Sequence, residues 1–110
     1  MKRNLLFVLA LAVIPGGVDA QVRDLEQTRA SAEQRNPIAQ YNLGYAYANG
    51  FGVPEDYVLA YMWANLAAAQ GNEIAQDNKD IIEERMTREQ IAEAQRLSTE
   101  WLEAHPPGGN

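Results

Sequence analysis

A chain of 110 residues holds one small domain, and its formal charge of −6, from nine basic and fifteen acidic residues, has the wrong sign for a nucleic-acid backbone or an anionic lipid surface. Cysteine is absent, which excludes disulfides, thiol chemistry and a lipid-modified cysteine and leaves packing alone to stabilise the fold.

Residues 1–20 read as a secretory signal peptide. Lys2 and Arg3 give a basic start, Leu5 to Ile14 is an unbroken run of ten apolar residues, Pro15-Gly16-Gly17 breaks it, and Val18-Asp19-Ala20 puts small residues before a cut after Ala20. The run is too short to span a bilayer, and no basic stop-transfer flank follows it to favour a short membrane anchor. Removing these residues takes away Lys2, Arg3 and Asp19, so seven basic and fourteen acidic residues remain, a net charge of −7. The expected product is exported, periplasmic or secreted, and inserts no segment into a membrane.

Beyond residue 20, caps and periodicity predict helices and no sheet. A weak helix covers about Val22 to Arg35, within an N-terminal stretch 21–35. Asn36 caps the next, with Pro37 at its first position, and this helix runs to about Asn49. Gly50 fits a left-handed stop. Pro54 is expected to open the third helix, with Glu55 and Asp56 in its first turn, and Gly71 to end it. This helix carries two apolar stripes, Tyr57/Ala60/Tyr61/Ala64/Ala67/Ala68 and Leu59/Met62/Trp63/Leu66, as a helix buried between neighbours should. Asn72 caps the fourth helix, which is expected to reach Met86. Thr87-Arg88-Glu89-Gln90 is a capping box opening the fifth, to about Ala104. That last helix has one apolar stripe, Ile91/Ala94/Leu97/Trp101, and a charged face of Glu93, Arg96, Glu100 and Glu103, the pattern of a terminal cap. Residues 105–110, with the single histidine His105, read as a flexible tail.

The chain repeats itself with a shift of 36 residues: Ala32/Ala68, Gln34/Gln70, Asn36/Asn72, Ile38/Ile74, Ala39/Ala75, Gln40/Gln76 and Asn42/Asn78 are identical pairs. A period of this size marks a solenoid of helix pairs. The segment "AQYNLGYAYANGFGVPEDYVLAYMWANLAAAQGNEIAQ", Ala39 to Gln76, resembles the Sel-one-like repeat, a tetratricopeptide-like helix pair. The resemblance rests on Ala39, Leu43-Gly44, Tyr47, Gly50, Gly52-Val53, Pro54, Asp56, Ala60, Trp63, Ala67-Ala68, Gly71 and Ala75. It implies an all-α fold, a short right-handed α-solenoid of antiparallel helix pairs with about five helices after the signal peptide. Residues 36–71 form its full repeat. Residues 72–104 are a degenerate or capping pair, because Lys79 and Asp80 stand where Leu43 and Gly44 stand and Met86-Thr87 replaces the glycine-rich bend. The resemblance further implies an adaptor that presents a helical surface to another protein.

No catalytic, cofactor or metal site is expected. "GFGVPED" lacks the Gly-Lys-Ser/Thr of a phosphate loop, and Asp77, Asp80, Glu83 and Glu84 lack calcium-loop spacing and its glycine. Glu55 and Asp56 are the one acidic pair in a glycine-rich setting. A cell-wall hydrolase using them is the alternative from a different class, against plain helix-end electrostatics. Tyr47 shares a stripe with Leu43 and is assigned to the core. Tyr41 and Tyr45, four apart on another face, are either partner contacts or packing against the preceding helix. A third reading is a truncated repeat stable only in an oligomer or complex, since three or more repeats are usual.

Overall fold

The computed structural model describes residues 18–108. The expected signal peptide therefore lies outside the described residues except for Val18–Ala20, as do residues 109–110 of the tail. Five helices follow in order: α1 Val18–Glu33, α2 Pro37–Asn49, α3 Tyr57–Ala69, α4 Glu73–Glu83 and α5 Arg88–Ala104. Among the described residues there is no strand, and no helix is long and apolar enough to cross a membrane. The fold is an all-α helical-repeat solenoid.

The caps explain most of the boundaries. Asn36, Asn72 and Thr87 each accept a hydrogen bond at the side chain from the backbone N–H three residues on, and Gln90 closes the box on Thr87 from the other direction. Gly50 is left-handed at φ 69° and ends α2. Three helices depart from expectation at their ends. Pro54, Glu55 and Asp56 do not begin α3; Asp56 is its N-cap, with an extended backbone and a carboxylate that accepts from Leu59 N at 3.0 Å. The Asp56 N–H donates back to Tyr47 O, 2.9 Å away, which holds the preceding segment as a loop. At the end of α4, Arg85 N–H and Met86 N–H bond to Ile82 O and Glu83 O in tightened turns, so the helix stops at Glu83 rather than Met86 and the chain is extended at Thr87. Finally, α1 begins upstream of Val22 and ends at Glu33, with Arg35 left-handed at φ 73°.

The core centres on α3, whose Ala60, Tyr61, Met62, Trp63, Ala64, Leu66 and Ala67 are all buried. A helix buried on so many sides has no room for polar residues, which is why this segment is the most apolar of the described chain. Against it lie Leu43 and Tyr47 of α2, Ile82 of α4 and Ala94 of α5. The α2–α3 contact is close because of Gly44. A Cβ there would stand 3.0 Å from Ala60 O and 3.1 Å from Ala64 N. At the equivalent place in α4 stands Asp80, which is exposed. The consequence is visible in the packing: α5 takes α3 as its main partner, not the α4 that precedes it. Trp63 and Trp101 meet edge to face at 5.7 Å, and Ala94 and Ser98 turn inward.

The start of the tail is not free. His105 stacks on Trp101 at 4.0 Å with the rings 9° apart, and its carbonyl accepts from Arg35 Nη1 at 2.5 Å. The same guanidinium lies over the Trp101 ring at 5.9 Å. His105 thus lies against the α1–α2 turn.

Candidate functional site

The face of α2 turned from the core carries Ile38, Asn42, Tyr45 and Asn49, spaced as one helical stripe, all exposed. Tyr41 stands beside this stripe, half-buried. Its ring is 6.1 Å from that of Tyr45, and Tyr45 is 6.0 Å from Phe51 in the loop after α2. Three rings thus make a row along the surface. Tyr45 is 43% and Phe51 59% exposed, more than aromatic packing needs. Asn49 Nδ2 donates to Tyr45 O at 2.9 Å and fixes the end of the stripe.

Two hollows flank the row. One, of about 460 Å³, is lined by Asp24, Leu25 and Thr28 of α1 together with Asn42 and Gly50-Phe51-Gly52. The other, of about 150 Å³, lies between α2 and α4, with Tyr45, Ala48 and Asn49 on one side and Asn78, Ile81 and Arg85 on the other. Ile81, 55% exposed, occupies in α4 the position Tyr45 occupies in α2. Asn78 Nδ2 is buried in this wall and has no hydrogen-bond partner. Arg85 stands beside Tyr57 in this hollow, and Tyr57 first, then Glu55 and Glu84, hold its pKa above the ordinary arginine value.

The residues singled out in the sequence divide cleanly. Ala39, Leu43, Gly44, Tyr47, Ala60, Trp63, Ala67 and Ala75 are buried, Ala68 is half-buried, and Gly50, Gly52, Pro54 and Gly71 are exposed in the connections. Asp56 is the α3 cap, so its carboxylate is occupied, while Glu55 stands exposed in the loop. Tyr41 and Tyr45 come together on one surface. Phe51 and Ile81 belong to it as well and escape a sequence reading: Phe51 sits in a bend, and Ile81 is visible only when the 36-residue register is carried along α4. Among the described residues no cluster of three or more metal-ligating side chains is present.

The Sel1 repeat family model matches residues 37–72, the span of α2, α3 and the turn into α4. This is a Sel1-like repeat. Consistent with it, the crystal structure of a protective antigen present in uropathogenic Escherichia coli strains, described as displaying an SLR fold, superposes with a TM-score of 0.75 at 32% sequence identity. The match covers 80% of this chain and 19% of that one, so the chain spans about a fifth of its neighbour. No curated protein matches the sequence. Sel1 repeats are typically protein-interaction modules without a catalytic role of their own, and the repeat here has the matching architecture, an α2–α3 helix pair whose first helix carries the exposed Tyr45.

Proposed function

We propose that this protein is an exported adaptor in which the Sel1-like repeat binds another envelope or secreted protein through Tyr41, Tyr45 and their neighbours. The observation that carries this reading is the row Tyr41–Tyr45–Phe51 along α2 and the loop after it, with Tyr45 and Phe51 exposed. Tyrosine and phenylalanine bring large contact area with few rotatable bonds, and clusters of this kind dominate binding energy at protein interfaces. Tyr41 and Tyr45 sit on the repeat's first helix and Phe51 in the loop that follows it. Export rests on the basic start, apolar run and small-residue cut of residues 1–20.

Two measurements test the proposal. Tagged full-length chain, expressed in a bacterial host, should fractionate outside the cytoplasm with a mature N-terminus at Gln21 by mass spectrometry; an intact Met1 in the cytoplasm contradicts export. Affinity capture from an envelope extract should recover a protein whose binding is lost in the double variant Tyr41→Ala/Tyr45→Ala with helicity unchanged. Capture unaffected by that variant moves the interface elsewhere.

A further inference from the structure

We propose that the face built from α2 and α4, with Asp24 and Phe51 at one edge, takes an extended, net-basic segment of the partner that presents apolar side chains at alternate positions. This rests on the protein-binding reading above and names the chemistry of the bound partner.

The charge argument comes first. Residues 21–110 hold seven basic and fourteen acidic side chains. Three of the basic ones are engaged by the fold. Arg29 donates to the Tyr47 hydroxyl and lies over its ring, Arg35 holds Trp101 and the His105 carbonyl, and Lys79 lies over Tyr61 at 5.8 Å and reaches Asn65. Arg85 is exposed and lines the α2–α4 hollow, and Arg96 pairs with Glu93 and Glu100 at the surface. Among the described residues the ion pairs are those of Arg96 alone. Arg23 and Arg88 are exposed as well, so the fold takes up three of the seven cations, and the fourteen carboxylates remain in excess at the surface. Asp24, Asp77 and Glu84 are exposed along the rim of this face. An unneutralised acidic rim attracts a cationic partner, speeds its encounter, and repels a second copy of this equally acidic chain.

The second argument is geometric. The rings step by 6.1 and 6.0 Å. Alternate side chains of an extended chain are about 6.6 Å apart, so leucine-like groups at alternate positions fit between successive rings. Side chains four apart on a helix have nearly the same spacing. The amides decide between them. Asn42 is exposed next to Tyr45 on its own stripe, and Asn49, whose Nδ2 is taken by Tyr45 O, keeps its exposed Oδ1 as an acceptor at the other end. An extended segment brings unpaired main-chain N–H and C=O groups for such amides, whereas a helix has satisfied its own.

The test is fluorescence anisotropy on the full chain with three labelled peptides: alternating Lys–Leu, the same composition with all leucines adjacent, and alternating Glu–Leu. The alternating Lys–Leu peptide is expected to bind at least ~10-fold tighter than either control, to weaken as salt rises, and to lose about 10-fold on Tyr45→Ala or Phe51→Ala. Asp77→Lys, at an exposed position, should weaken it without changing thermal stability. Circular dichroism of each variant separates loss of binding from loss of fold. Equal binding of the two Lys–Leu peptides overturns the alternating register, and tighter binding of Glu–Leu overturns the charge assignment. Binding of none of them, or self-association that Tyr45→Ala abolishes, overturns the occupant. If a captured partner depends on Tyr41 and Tyr45 while all three peptides fail, the adaptor reading stands and this inference falls.

Discussion

The α1–α2 and α3–α4 junctions have the same backbone and opposite surroundings. In the first, Arg35 N–H bonds to Ala32 O at 3.0 Å and Asn36 N–H to Ser31 O at 3.2 Å; in the second, Gly71 N–H bonds to Ala68 O at 2.9 Å and Asn72 N–H to Ala67 O at 3.2 Å. Both are the same left-handed helix stop followed by an asparagine cap, 36 residues apart. The side chains then diverge. Gln40 is fully buried, donating to Ala32 O and accepting from Gln70, which also reaches Arg35 O. Its counterpart Gln76 is exposed and reaches only Asp80. The first junction is closed over by the end of α3 and by His105; the second is open. The difference teaches that the repeat's sequence signature encodes the backbone turn, while a following helix makes the same glutamine a core residue or a surface one.

Substitutions at paired positions can break this comparison. The largest effect is expected at Gln40. Gln40→Ala removes a buried hydrogen-bond relay, opens a cavity and leaves the Ala32 carbonyl with only its bond from Arg35 N–H, costing about 2 kcal/mol by chemical denaturation, while Gln76→Ala stays within about 0.5 kcal/mol. Close behind is Gly44→Ala, whose methyl meets the α3 backbone and should cost about 2 kcal/mol in spite of its better helix propensity. Asp80→Ala, at the equivalent place in α4, should be neutral or slightly stabilising. Gly71→Ala should cost about 1 kcal/mol, because Gly71 sits at φ 95°. At the partner position, Arg35→Gly should be more stable than Arg35→Ala by about the same amount, since both lose the Trp101 and His105 contacts and only alanine keeps the left-handed strain.

The smallest effect is one of pH. The Tyr61 phenol is pushed above its ordinary value by burial first; the polar Gln95 side chain opposes the shift, and the Glu83 carboxylate, which accepts from the hydroxyl at 3.1 Å, adds to it. A raised pKa means that the folded state holds this proton more tightly. Its contribution is fully present below about pH 10 and is lost as pH rises through the folded value. Denaturation midpoints should therefore fall on the alkaline side, and Tyr61→Phe should flatten that fall.

Much of the fold was legible because its signals are short-range. Asn36, Asn72 and the Thr87–Gln90 box each act within one turn, and the alanine-rich third helix declares its burial by composition. The start of α3 was misread because Pro54 and Asp56 both signal a helix start, and the Asp56 bond to Tyr47 O, which decides between them, comes from the preceding helix. The Arg35–Trp101–His105 contact joins residues 70 apart, and no local pattern announces it. The same holds for the site. Tyr41 and Tyr45 announce themselves by spacing, whereas Phe51 and Ile81 join them only through the packing of α2 on its neighbours.

Native-state hydrogen exchange tests the central contrast most directly. Amides of α2 and α3 around Gln40, Leu43 and Trp63 should exchange only through global unfolding, while those of α4 around Gln76 and Asp80 should exchange through a smaller opening, at least ~10-fold faster. Equal protection of α2 and α4 would contradict an account in which the first junction is closed and the second open.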